Sequence, residues 1–170
     1  MKRNVFYGVL LFILFLGGVY LLYVEQRNGT EVLSGGFVEG KQLGFIHGLY
    51  ESDGIMVISF DDAVWLSGKE GEDAAIRAGV YTEATRAECL PNDYYILNEK
   101  KSDELLVLES KIQIVMKTWE AGERGIMDKE ISLANFSALI NDQKVHWNKL
   151  PYIITTTKNG VARIEEVYIP

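Results

Sequence analysis

The chain has 170 residues, of which 48% are hydrophobic, with a single cysteine and a formal net charge of −7. All of its acidic residues, and all of its basic residues except Lys2 and Arg3, follow residue 24, so that part is more acidic still. This charge argues against nucleic acid and anionic lipid surfaces as partners, and one cysteine cannot form an internal disulfide.

Residues 4–24 form an uncharged, apolar stretch. A helix of about 20 such residues spans roughly 30 Å, the thickness of the hydrocarbon core of a bilayer. Lys2 and Arg3 precede it, and the positive-inside rule places residues 1–3 in the cytoplasm and the C-terminal part outside the cell. We expect a single-pass signal anchor in the cell membrane, with membrane lipid as its partner. A cleaved signal peptide is the alternative, although its apolar region is usually about 7–15 residues long and no Ala-x-Ala site follows.

Residues 25–40 are polar and rich in glycine, which is typical of a linker. A first strand over residues 32–38 is the alternative. Residues 41–170 have the length of one domain rather than two, and we expect them to form an extracytoplasmic, β-rich domain.

The domain begins with a hairpin signal, Asp53-Gly54 between two alternating runs. A two-residue turn places Leu49 opposite Ile58 and His47 opposite Phe60, so that His47 falls on an apolar strand face.

A helix is predicted after Ser67, with three acidic residues near its start and Gly79 just after its end. Its alanines, including Ala78, are expected to face inward. Asp73 and Arg77 have the i,i+4 spacing of an ion pair.

The second half of the domain predicts strands over Tyr94–Asn98, Leu105–Leu108 and Ile112–Lys117. A helix follows Ser132, with Ile131 and Phe136 spaced as a hydrophobic staple. The chain finishes with a hairpin at Asn159-Gly160, in which a two-residue turn would place Ile153 opposite Glu166. We therefore expect a mostly β (α+β) fold: a small antiparallel barrel or curled sheet with one or two helices, preceded by one transmembrane helix.

The stretch CLPNDYY holds the only cysteine, Cys89. A cysteine nucleophile needs a nearby base and a lowered pKa, and the only histidines are His47 and His146. We favour a turn in which Asp93 caps the backbone before a strand begins.

The candidates for catalysis are Glu166, Asp93 and His47. Glu165 and Glu166 are adjacent in a strand, so their side chains point to opposite faces and cannot work as a pair. Glu166 falls among apolar residues, where a carboxylate must be hydrogen-bonded, paired or at the end of the sheet. His47 is expected to be a hydrogen-bonded residue at the edge of the core.

Two separated histidines and one cysteine do not have the spacing of a zinc site. Asp61 and Asp62 are candidates for a metal site, and with Glu70, Glu72 and Asp73 they could supply oxygens to calcium. These residues do not follow a calcium-loop motif, and a solvated acidic face is the simpler interpretation. No cofactor is expected.

Four stretches read SFDDAVWLSGKEGEDAA, PNDYYILNE, ISLANFSALI and PYIITTTKNGVARIEEVYIP. Together they resemble an uncharacterised family of extracytoplasmic domains, often lipoproteins or anchored proteins of Gram-positive bacteria. The resemblance covers about residues 43–170. The chain departs from the family pattern at Asp62 (a proline in the family), Ile153 (a tryptophan) and Val167 (often a glutamine). The resemblance implies an extracytoplasmic location and a single β-rich domain, and no activity comes with it.

These observations favour a membrane-anchored binding or interaction module for a protein or other cell-envelope partner, in an envelope or sporulation process. A non-enzymatic role is preferred because no catalytic motif is complete. The alternatives are a cell-surface hydrolase that uses Glu166 or Asp93 as its base, and a surface module stabilised by calcium.

Overall fold

The computed structural model describes residues 39–120, 125–142 and 146–169. The predicted anchor over residues 4–24, and residues 25–38 of the predicted linker, lie outside this range. Within it, no helix combines the length and the apolar character needed to cross a membrane. The strands are β1 (Gly40–Ser52), β2 (Ile55–Ser67), β3 (Tyr94–Leu97), β4 (Asp103–Met116), β5 (Lys129–Glu130), β6 (Pro151–Thr157) and β7 (Gly160–Glu166). The α-helices are α1 (Gly68–Arg77) and α2 (Leu133–Asn141), and Glu83–Glu88 and Trp147–Lys149 form 3-10 helices.

Five strands close into a barrel in the order β1–β2–β4–β7–β6 and back to β1. The predicted barrel is confirmed. The strand pairing is mostly antiparallel, as predicted, and β4 and β7 form the one parallel pair among the described strands. After β4 the chain passes through α2 and forms β6 beside β1. β7 then fills the gap between β6 and β4 and runs in the same direction as β4. This connectivity, with a helix between the third and fourth barrel strands, is that of the OB-fold.

The core lies inside the barrel and under α2. Inward-facing side chains of all five barrel strands are fully or almost fully buried, among them Ile46, Phe60 and Ile164. Phe136 of α2 packs edge-on against Tyr152, with ring centroids 5.8 Å apart. Ser132 accepts a hydrogen bond from the backbone N–H of Asn135 (3.2 Å), which confirms the predicted cap of α2.

The first hairpin turns at Asp53 and Gly54, which both have positive φ, and Leu49 pairs with Ile58 as predicted. The predicted pairing of His47 with Phe60 is wrong. Phe60 pairs with Ile46, and a bulge at His47 shifts the register before Gly48. A bulge bends its strand and re-aims the extra residue, and His47 is exposed here.

The C-terminal hairpin is present, but its turn lies at Lys158 and Asn159, since Thr157 pairs with Gly160. Tyr152 rather than Ile153 therefore lies opposite Glu166, because the earlier turn moves the pairing by two positions and the register shift between Thr155 and Thr156 moves it back by one.

Three other details differ from the sequence-based predictions. β4 is one irregular strand where two strands had been expected. Gly79 follows the end of α1 with positive φ as predicted, but Ala78 is exposed. Asp73 bonds to Lys69 and Arg86, and not to Arg77.

Candidate functional site

A pocket of about 670 Å³ lies on the outer face of β1, β2 and β4. Asp61 of β2 pairs with Phe45 of β1 on one side and with Asp103 of β4 on the other. Residues directly opposite in neighbouring strands project to the same face, so the three side chains converge. The pocket is lined by Phe45, His47, Asp61, Asn98, Lys101, Asp103, Asn148 and Lys149.

His47 is held by Asp103 at the wall of this pocket. Its Nδ1 lies 2.8 Å from Oδ1 of Asp103, and Oγ of Ser59 donates to the other carboxylate oxygen at 2.6 Å. The Ser59 hydrogen bond, together with the weaker effect of His47, lowers the pKa of Asp103 against the opposing effect of burial. An ionised carboxylate only accepts hydrogen bonds, so Nδ1–H of His47 is the donor in this contact and Nε2 is the ring nitrogen that faces away from Asp103.

Asp61 is the buried member of the site, with 2% of its surface exposed. Its Oδ1 accepts from the backbone N–H of Ser102 (3.0 Å) and its Oδ2 from the side-chain amide of Asn98 (2.6 Å). Asn98 in turn accepts from the backbone N–H of Lys101 at 3.1 Å. These bonds fix the β3–β4 connection over β2, and they hold Asp61 with neutral donors.

His47, Asp61 and Asp103 each offer one potential metal-ligating atom, and these atoms all lie within 4.8 Å of one another. In the described part of the chain this is the only group of three or more such residues. The sequence singled out Asp61 and His47 separately. It missed Asp103 and Asn98, because no local pattern signals that β4 will pair with β2.

The other predicted metal ligands lie elsewhere. Asp62 is exposed. Because it is the next residue along β2, its side chain points to the opposite face from that of Asp61. Glu72 and Asp73 both bind the guanidinium of Arg86, at 3.2 and 2.7 Å. The acidic residues that could have formed a calcium site therefore do not come together as one group.

Glu166 lies outside this pocket. It is 1% exposed, and its carboxylate accepts from the backbone N–H groups of Lys117 (2.7 Å) and Thr118 (3.0 Å) and from the hydroxyl of Thr118. Of the predicted alternatives, the carboxylate is hydrogen-bonded, and Glu166 is also the last residue of β7. Glu165 points the other way and pairs with Lys117 and Arg163.

Cys89 and Asp93 flank a turn, and neither lines the pocket. Burial raises the pKa of the Cys89 thiol, and the carboxylate of Glu72 raises it further, which disfavours the reactive thiolate. Asp93 is exposed with positive φ, and its backbone N–H donates to the carbonyl of Leu90 at 2.7 Å. The predicted turn before β3 is confirmed.

The pocket combines hydrogen-bond donors from lysine and asparagine, acceptors from aspartate and the aromatic side chain of Phe45. Such a set recognises a polar ligand. Ser59 is linked to His47 through the carboxylate of Asp103. Its hydroxyl donates to Asp103 and not to His47, so it is not activated as a nucleophile.

Comparisons with protein-family models, with curated proteins and with solved structures found no match to this chain. Its function is therefore inferred from the geometry of the pocket and from the sequence.

Proposed function

We propose that this chain is a single-pass, membrane-anchored extracytoplasmic module that binds a polar cell-envelope ligand in the pocket around His47 and Asp61. The observation that carries the proposal is the convergence of donors, acceptors and an aromatic side chain on the outer face of β1, β2 and β4. The binding role is preferred to catalysis because the pocket residues supply a histidine and an acid without an activated nucleophile.

The anchor and its orientation are proposed from the sequence. Residues 4–24 have the length and composition of a spanning helix, and Lys2 and Arg3 lie on its N-terminal side. The outward face of a small barrel of this connectivity commonly binds oligonucleotides or oligosaccharides. The acidic charge of the chain disfavours an oligonucleotide, so the preferred ligand is an uncharged or mixed-charge polymer such as a wall glycan.

Ligand capture tests the binding role. The full-length protein, purified in a mild detergent, is incubated with isolated envelope fragments, and the retained fragments are quantified. Lys101→Gln, which removes a charged donor from the pocket, should reduce retention several-fold. Lys100→Gln is the matched control, because Lys100 is exposed and does not line the pocket. Equal retention by both variants and the wild type would contradict the proposed site.

Amine labelling tests the orientation. A membrane-impermeant amine reagent is applied to intact protoplasts that express the full chain, and labelled lysines are mapped by mass spectrometry. Lysines of the domain, such as Lys69 and Lys111, should be labelled without lysis while Lys2 is protected. Labelling that appears only after lysis would place the domain in the cytoplasm.

A hydrolase is the second candidate function, and His47 would be its general base. Asp103 orients His47, so that Nε2 could act as a general base toward a water molecule in the pocket. Conversion of a captured envelope fragment, abolished in His47→Gln with capture preserved, would favour the enzyme. Capture without conversion favours the binding module.

A further inference from the structure

We infer that His47, Asp61 and Asp103 bind one divalent first-row transition cation, with Zn²⁺ as the best fit. The inference rests on the pocket of the proposed function and adds a metal to it. One nitrogen and two carboxylate ligands suit zinc with an open coordination position, where a ligand or water could bind. Calcium and magnesium prefer oxygen ligands only, so the histidine selects against them.

Charge is the first reason for a cation here. Asp61 is almost fully buried, and within the described residues its side-chain hydrogen bonds come from Asn98 and Ser102, which are neutral. A buried carboxylate is stabilised by hydrogen bonds, by a paired cation or by a metal. Neutral donors alone hold Glu166 in this chain, so what distinguishes Asp61 is the second carboxylate beside it. Asp103 places that carboxylate within 4.8 Å, and a divalent ion would add to the positive charge that Lys101 and Lys149 bring to the same pocket.

The hydrogen bonds around the ligands are the second reason. Each oxygen of a carboxylate has two lone pairs, so the donors on Asp61 and the Ser59 hydroxyl on Asp103 leave a lone pair free on each bonded oxygen. Groups that hydrogen-bond to metal-ligating side chains fix the orientation of those side chains, and they are regularly found around metal sites. The bulge at His47 brings a nitrogen ligand to the same place.

The distances allow the site to form with small movements. Zinc lies about 2.0–2.2 Å from nitrogen and oxygen ligands, so two ligands of a tetrahedral ion are roughly 3.4 Å apart. Candidate ligand atoms up to 4.8 Å apart must therefore draw together by roughly 1.4 Å. Nδ1 of His47 and Asp103 are joined by a 2.8 Å hydrogen bond, and the proton of Nδ1 must move to Nε2 before both residues bind the same ion. The side chains of His47 and Asp103 are 41% and 44% exposed and can turn, whereas Asp61 is fixed by its hydrogen bonds.

Metal titration of the full-length protein in detergent tests the inference. Zn²⁺, Mn²⁺ and Ca²⁺ are each titrated calorimetrically, and Co²⁺ is used for its absorption spectrum. We expect one zinc ion per chain, weaker manganese binding and no saturable calcium binding. His47→Gln and Asp103→Asn should each weaken zinc binding by about 100-fold or more and abolish the cobalt spectrum of the wild type.

Asp62→Asn is the matched control, because it removes an aspartate one residue from Asp61 on the opposite side of the strand. Its zinc affinity should equal that of the wild type. The exposed positions of His47 and Asp103 mean that both variants should fold, which circular dichroism checks. The absence of saturable zinc binding, or equal weakening by Asp62→Asn and His47→Gln, would overturn the inference.

The outcome is separable from the proposed binding role. If envelope fragments are retained equally with and without a chelator and no zinc binds, the metal inference fails and the binding module stands. If zinc binds and Lys101→Gln retains fragments as the wild type does, the metal site stands and the proposed ligand site fails.

Discussion

Glu166 shows how the role of a single residue is set by its partners. Its buried carboxylate accepts hydrogen bonds from two backbone N–H groups and one hydroxyl of Lys117 and Thr118, the two residues that follow β4. Hydrogen bonds to a charged acceptor contribute about 1.5–3 kcal/mol each. These bonds favour a structural role for Glu166 over a catalytic one.

Glu166→Gln is expected to lower the free energy of unfolding by about 2–3 kcal/mol, because the new NH₂ group meets donors where the carboxylate had accepted. Urea denaturation of the full chain in detergent measures this loss. Glu165→Gln is the control: its surface ion pairs should contribute no more than about 1 kcal/mol. An unchanged stability of Glu166→Gln, combined with the loss of an activity, would point to catalysis instead.

At the scale of elements, Arg86 connects the 3-10 helix Glu83–Glu88 to α1. Its guanidinium makes two bonds of 2.9 Å to Glu83 and reaches Asp73 and Glu72 on α1. The planar fork of arginine matches this geometry, which lysine cannot reproduce. The short helix itself buries no residue, so these bonds hold its position.

Arg86→Lys is expected to loosen the 3-10 helix while leaving the barrel intact. The amide protons of Thr85 and Cys89, bonded within this turn, should exchange several-fold faster, as measured by hydrogen–deuterium exchange. Arg77→Lys is the control, because Asp73 bonds to Lys69 and Arg86 instead of Arg77. Equal exchange in both variants would contradict the role of Arg86.

The same cluster should respond to acid. Hydrogen bonds from Lys69 and then Arg86 lower the pKa of Asp73, and a hydrogen bond from Arg86 lowers that of Glu83. A carboxyl whose pKa is lower in the folded state stabilises it above its unfolded pKa, and this contribution is lost as pH falls through the folded value. Amide protection in residues 83–88 should therefore drop below about pH 4 in the wild type. In Arg86→Lys it should change less, and a parallel drop would count against this explanation.

At the scale of the whole molecule, α2 covers the barrel interior. Phe136 is fully buried against Tyr152, and Ile140 follows it one turn later. Asn141 adds a hydrogen bond from its side chain to the carbonyl of Leu49 on β1 (3.2 Å). The packing of this helix therefore links β1 and β6, which are distant in sequence.

Phe136→Ala is expected to cost about 3–5 kcal/mol, a large share of the stability of a small domain, because it leaves a cavity under α2. Thermal and urea unfolding of the full chain measure the loss. Asn135→Ala, an exposed change on the same helix, should stay within about 0.5 kcal/mol. A small effect of Phe136→Ala would mean that α2 is not part of the cooperative core.

Local signals in the sequence predicted much of the domain correctly. Asp53-Gly54 gives a tight turn because both residues tolerate positive φ, and Ser132 caps α2 because its hydroxyl reaches a free N–H. The turn before β3 and the apolar face of α2 follow the same short-range rules. The predicted anchor over residues 4–24 lies outside the described residues and stays a prediction.

The tertiary structure decided which distant residues meet. His47 and Asp103 lie 56 residues apart, and Asp61 and Asn98 lie 37 apart; they meet because β4 pairs with β2 and a bulge turns His47 outward. A bulge moves the pairing by one register position and a hairpin turn displaced by one residue moves it by two, and strand periodicity alone encodes neither step. Closure of the barrel, the parallel pairing of β4 with β7 and the pocket all depend on contacts between strands, so only the folded chain fixes them.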